Sequence, residues 1–447
     1  MVKVLIPSGA LGIGCDPAAL AAGVAAGPDI IAIDGGSTDS GPHYLGTGTS
    51  KYARSTIKAE WSALMAARSE AGVPLVIGTA GTSGADSAVD WLVDITREIA
   101  AERGTHERVA VLKCGQAPRD IAAAMRDGRV TALPGAPAVT PETVENCTNV
   151  VALAGAEAVQ AAIATGADIV IAGRTTDTAL IAALPLARGC HAGGAWHGAK
   201  IGECGALATT HPDTGTVMIH FDDSGFTLTP MAAEAAATPH TVSAHMLYEN
   251  SNPLRLYEPG GYLDVSQARY STVDARSVRV EGSVWVPTAP YTVKLEGARV
   301  AGFQTASLVL VRDARYVQQI DDWTARIERT VQARLAARGL TGVELQLRVI
   351  GRDATLGALE TRRSDVHEIG VLAIVTAADQ ATATDVAKAV NPLLLHCPLT
   401  DDEPMPTFAF PFSPPEMARG AVHEFCLHHV LALADPMAAF DLEVIAL

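Results

Sequence analysis

Five short apolar runs, each broken off by a loop of glycine, hydroxyl and acid side chains, recur in the first 180 residues and constrain the fold more than any other feature. The runs are Val2–Pro7, Asp29–Asp34, Val73–Gly78, Val109–Lys113 and Asp168–Ala172. Being apolar almost throughout, they suit parallel strands buried on both faces. Helical spacing separates them: Ile57, Trp61, Leu64 and Met65 form one stripe, and Val89, Leu92, Val93 and Ile99 another. Strand and helix in alternation predict an α/β chain with a doubly wound, mostly parallel sheet.

From about Val278 the pattern changes to closely spaced strands and two helices, through Ile327–Ala337 and Asp385–Leu395, which predicts a second, α+β domain. Residues 186–277, rich in Gly, His, Thr and Pro, read as loops and short elements. The expected division is an α/β domain over 1–240 and an α+β domain over 241–447. His428 and His429 are read as packing or surface residues of a helix.

In an open parallel sheet, ligands bind beyond the carboxyl ends of the strands. The loops there are Ser8–Gly14, Asp34–Gly41, Thr79–Asp86, Lys113–Gln116 and Gly173–Thr178. One cap per helix leaves several polar residues in each loop without a structural duty. Ser8, Gly9, Ser37, Thr38, Thr79, Thr82, Ser83, Gly173, Arg174 and Thr175 are therefore candidates for substrate binding, with backbone N–H groups completing an anion-friendly crevice. Arg174, directly after a buried run, could grip a carboxylate with two hydrogen bonds. Asp34, Asp39 and Asp177 are the candidate acid–base residues, and Lys113 and Lys294 could stabilise an enolate. Asp86 is the remaining acid of the loops. Lys51, Arg54 and Lys58 read as a solvated basic face.

Several function classes are set aside. The chain carries 33 Lys and Arg against 49 Asp and Glu, a net charge of −16 that would repel a nucleic-acid backbone. No apolar run approaches a membrane span and no leader is evident, so a cytoplasmic location is expected. The first loop has its glycines in the order GxxGxG rather than GxGxxG, although Asp34 stands where a ribose-binding acid would. Neither a phosphate-binding P-loop nor a GxSxG elbow occurs. Cys190, His191, His197 and Cys204 match no standard zinc spacing, and Cys15 reads as a small buried thiol. No cofactor is assigned; the clustered acids leave a divalent cation such as Mg²⁺ open.

Two stretches, GADIVIAGRTTDTAL at 166–180 and PHTVSAHMLYENSNPLRLYEPGGYLDVS at 239–266, resemble the acyclic terpene utilisation AtuA-like family. The likeness continues through YTVKLEGA and FPFSPPEMARGAVHEF. It implies catabolism of branched or acyclic carboxylic acids or their coenzyme A thioesters. On matching positions it implies Gly173, Arg174 and Asp177, with Tyr248, Glu249 and Pro253, as site or site-framing residues. Many members open with a glycine stretch ending Gly-Asp-Arg, where this chain has Gly14-Cys15-Asp16-Pro17.

The expected function is an enzyme acting on a small-molecule carboxylate or acyl thioester, a lyase of the hydratase or dehydratase type. An isomerase or epimerase using the same acid–base pair, and a non-catalytic metabolite-binding subunit, are the alternatives. A homo-oligomer is expected, as for many acidic α/β enzymes.

Overall fold

The computed structural model describes residues 1–362 and 365–447. The chain divides into two compact units, one of residues 1–299 with 424–447 and one of residues 300–423. The expected division at 240/241 falls inside the first unit.

The first unit is built on a ten-stranded sheet. Its centre is the five anticipated runs, Val2–Ile6, Ile30–Asp34, Leu75–Gly78, Ile169–Ala172 and Arg108–Lys113, side by side in that order and all parallel. Their side chains are almost wholly buried, because helices cover both faces. Arg54–Ala71 and Asp86–Arg103 pack Trp61, Leu64, Val89 and Leu92 on one side. Asp177–Ala187 and Ala192–Gly202 pack Leu180, Ile181 and Trp196 on the other.

The α/β class holds, but the sheet is mixed rather than mostly parallel. Val217–Phe221 pairs antiparallel with Val2–Ile6, and Gly225–Pro230, Val278–Glu281 and Arg269–Thr272 extend the sheet beyond it. At the opposite edge Asp441–Ala446 closes on Arg108–Lys113. The segment read as loops thus supplies two helices and several strands. Gly225–Pro230 and Gly261–Asp264 mix buried with half-exposed positions, a weaker signal than a wholly apolar run. A second sheet of three strands, Arg255–Glu258, Gly261–Asp264 and Val284–Pro287, completes this part.

Two long strands, Tyr291–Val311 and Glu416–Leu433, carry the chain between the units. His428 and His429 lie on the second of these, not on a helix. The run VHEFCLHHVLAL has apolar residues at both spacings, and pairing of His429–Leu431 with Val130–Ala132 settles it as strand. In the second unit, Phe303–Val311 pairs with Ile369–Ala377, which pairs with Glu344–Ile350. Helices Ile320–Ala337 and Gln380–His396 bury Trp323, Ile327, Val386 and Val390 with these strands in one apolar core.

Candidate functional site

All five anticipated loops leave the same edge of the parallel strands. Close backbone packing holds them there: a Cβ on Gly35 would stand 2.4 Å from the carbonyl oxygen of Thr79, and one on Gly84 would stand 2.3 Å from the amide of Arg174. Thr79 and Thr82 have φ of 52° and 82°, the left-handed region that hydroxyl residues seldom occupy. Ser83 accepts from the amide of Ala85, so it caps the loop rather than facing a ligand. Thr176 caps the helix Asp177–Ala187, as its place before Asp177 indicates.

Arg174 anchors the charge of this edge. Its Nε and Nη2 meet the Glu296 carboxylate at 2.9 and 3.4 Å, and its Nη1 donates to the Thr175 carbonyl at 3.0 Å and the Thr79 hydroxyl at 3.2 Å. The Arg174 and Glu296 side chains are only 7% and 6% exposed. Thr38 Oγ1 and Lys294 Nζ also donate to Glu296, at 3.1 and 2.9 Å. Burial opposes ionisation of Glu296, but Arg174 and Lys294 outweigh it and bring its pKa down to about 2. The guanidinium expected to hold a substrate anion is thus already matched by an internal one. Lys294 likewise sits on Glu296.

Next to this pair opens a cavity of about 460 Å³, within the range of small-molecule sites. Arg174, Ser37, Asp39, Asp177 and Glu249 line it, as expected. Thr176, Thr178, Lys200, Glu203, Glu258 and two leucines, Leu153 and Leu256, complete the wall. Asp177 stands 3.6 Å from Arg174. Lys200 and Glu203, one turn apart at the end of the buried helix Ala192–Gly202, form an ion pair. The Thr178 hydroxyl donates to Glu258 Oε1, leaving Oε2 buried without a partner.

Five acids against two cations crowd this wall. Burial raises the pKa of Asp177, with Arg174 and Lys200 pulling the other way. Burial, opposed by the Thr178 and Thr176 hydroxyls and reinforced by the Asp177 charge, lifts Glu258 to about 7. Asp34 lies behind the wall and is 7% exposed. Its Oδ2 accepts from the Gly36 amide at 2.9 Å while Oδ1 has no partner, and burial followed by the Asp177 charge holds its pKa well above the usual range.

Other anticipated residues stand elsewhere. Lys113 pairs with Asp90 at 2.8 Å, and Asp86 accepts from the Gly115 amide, bracing one loop to the next. Ser8 is fully buried and donates to the Ala10 carbonyl, while Gly9 packs on the Cys204 backbone. Tyr248 is 41% exposed and stacks on His245. Arg54 and Lys58 pair with Glu98 and Glu102 on the surface. His197 is buried between Ser283 and Tyr270, and burial lowers its pKa to about 3. Burial and the nearby Glu60 push the Cys15 thiol up to about 11, so it is no activated nucleophile.

Lys200, Glu203, Glu258 and Glu296 were missed. Lys200 and Glu203 carried one signal, charges inside an Ala- and Gly-rich helix of a chain only 18% charged.

The fold and site define a mixed α/β protein with a polar, acid-rich cavity at the carboxyl edge of its parallel strands. The sequence model of the acyclic terpene utilisation family protein AtuA matches residues 43–403, most of the chain. The chain belongs to that family. No curated protein and no solved structure matches it. Among the described residues no helix is long and apolar enough to cross a membrane.

Proposed function

We propose that the protein is an acid–base enzyme of the hydro-lyase type, adding water to or removing it from a small acyl thioester or carboxylate. The observation that carries this reading is the pair Asp177 and Glu258, two carboxyls lining one cavity with different surroundings. Burial raises the pKa of Asp177, which makes its carboxylate the stronger base, and the Arg174 guanidinium 3.6 Å away keeps that carboxylate accessible. Glu258 faces a neutral hydroxyl and has a pKa near 7, which suits a general acid at neutral pH.

In the dehydration direction, Asp177 takes the proton α to the carbonyl. The bond from the β carbon to its hydroxyl breaks, Glu258 protonates the departing oxygen to water, and the carbon–carbon double bond forms. Lys200, on the same wall, supplies positive charge for the enolate oxygen, the role assigned from sequence to Lys113 or Lys294. The acid excess of the wall, with Arg174 neutralised by Glu296, favours a thioester over a free carboxylate as the reacting group. The family's name, acyclic terpene utilisation, supports a branched acyclic acyl chain, and Leu153 and Leu256 offer it apolar contact. Seven free cysteines are in keeping with a cytoplasmic setting.

The test is incubation with 3-hydroxyacyl and 2,3-unsaturated acyl coenzyme A thioesters and the corresponding free acids in D₂O, followed by mass spectrometry. Interconversion with deuterium at the α carbon supports the reading. Exchange without loss or gain of water indicates an isomerase or epimerase, and neither reaction with any thioester or free acid of the panel overturns it.

A further inference from the structure

Beyond the carboxyl pair, the end of the buried helix carries a second chemical grouping. A carboxylate oxygen of Glu203, the sulfur of Cys204 and a ring nitrogen of His245 all lie within 4.8 Å of one another. They come from two separate segments: Glu203 and Cys204 follow the helix Ala192–Gly202, and His245 opens the short turn His245–Leu247. Sequence spacing offered no hint of the grouping, because His245 lies about forty residues further on.

The backbone under the cluster is closely held. A Cβ on Gly9 would stand 3.1 Å from the Cα and carbonyl of Cys204. Gly205 has φ of 61°, and a Cβ there would stand 2.3 Å from the carbonyl of Gly215. His245 is 5% exposed, yet its Nε2 is buried with no hydrogen-bond partner. Leaving a buried polar atom unsatisfied is costly, and an imidazole nitrogen with a free lone pair is a ready metal ligand. Tyr248 stacks on the ring at 5.5 Å, fixing its plane.

We infer that Glu203, Cys204 and His245 form a binding site for a divalent transition metal of the zinc type. A thiolate, an imidazole and a carboxylate together are a borderline-soft set that selects zinc-like ions over Mg²⁺, which prefers oxygen alone. Three protein ligands leave a fourth position for water or substrate, the pattern of catalytic rather than structural zinc. Glu203 is part of the cavity wall, so an ion held there borders the space that Asp177 and Glu258 face. Binding releases the Cys204 thiol proton to solvent, and Glu203 offers the metal the oxygen that Lys200 does not hold.

The test uses the full chain, stripped with EDTA, dialysed and titrated with Co²⁺ and then Zn²⁺. It reads metal content and the thiolate-to-cobalt charge-transfer band, without reference to turnover, so it is independent of the hydro-lyase reading. About one Co²⁺ per chain with that band, displaced by Zn²⁺, is expected. Cys204→Ser should abolish the band, and His245→Gln should weaken Co²⁺ binding by at least ~10-fold. Cys15→Ser should keep both. Glu203→Gln, which keeps the side chain's shape, provides a third ligand variant should Cys204→Ser not fold. No tight Co²⁺ binding by the unsubstituted chain, or a band that survives in Cys204→Ser but not in Cys15→Ser, overturns the assignment.

Discussion

At the amino-terminal edge of the parallel strands, three acids each meet an arginine. Asp29 pairs with Arg188, while Glu107 and Asp168 share Arg68 at 2.7 and 3.0 Å. Backbone amides of Lys3 and Arg108 take up further oxygens of Asp29 and Asp168. At the carboxyl edge of the same strands the acids outnumber their partners. Glu296 is matched by Arg174 and Lys294 and Glu203 by Lys200, but Asp34 and Glu258 each keep a buried oxygen with no partner. Identical residue types thus do opposite work. A paired acid holds elements together, and an acid that burial drives toward its neutral form is available for proton transfer.

The most severe test of this contrast is Asp177→Asn. It should lower turnover by ~10²–10⁴-fold and leave the melting temperature little changed, as measured by D₂O exchange and calorimetry. A variant with full activity would remove Asp177 from the base role. Arg174→Met should be the most destabilising substitution at either edge, by ~3–5 kcal/mol in denaturant unfolding, because it strands Glu296 in the interior. Arg68→Ala should cost ~2–4 kcal/mol for the same reason at Glu107, while leaving reaction or ligand binding at the cavity intact. Loss of cavity function in that variant would erase the distinction between the edges.

Glu258→Gln sharpens it through pH. The folded pKa of about 7 lies above the ordinary 4.5, so the folded chain keeps this proton when the unfolded chain has lost it. Stability contributed below pH 4.5 is therefore lost as pH rises toward 7. The variant should gain on the unsubstituted protein between pH 4.5 and 8 by up to ~3 kcal/mol, read from paired unfolding curves. The smallest effect belongs to the exposed ladder: Arg54→Ala should leave the unfolding midpoint almost unchanged, the more so at high salt.

Much of the scaffold was legible because local rules speak clearly there. Wholly apolar runs became the five parallel strands, and Ile57, Trp61, Leu64 and Met65 became a buried helix face. The loops after those strands share one edge, as expected, and Ser37, Asp39, Arg174, Asp177 and Glu249 line the same cavity. The strands of 217–272 escaped notice because they are short and most of them mix buried with outward-facing positions, which blurs the apolar signal. The pairing of Arg174 and Lys294 with Glu296 was not legible because Glu296 lies 122 residues beyond Arg174, a distance no motif spans.

Sequence alone determined where strands end, which loops share an edge and which residues are chemically able to act there. Backbone geometry and apolar periodicity act over a few residues, so they can be read along the chain. Only the tertiary structure decided which acids are neutralised, which are left buried and unpaired, and that Glu203, Cys204 and His245 stand together. Charge state and ligand geometry depend on groups a few ångströms away in space, and folding draws those from remote parts of the chain.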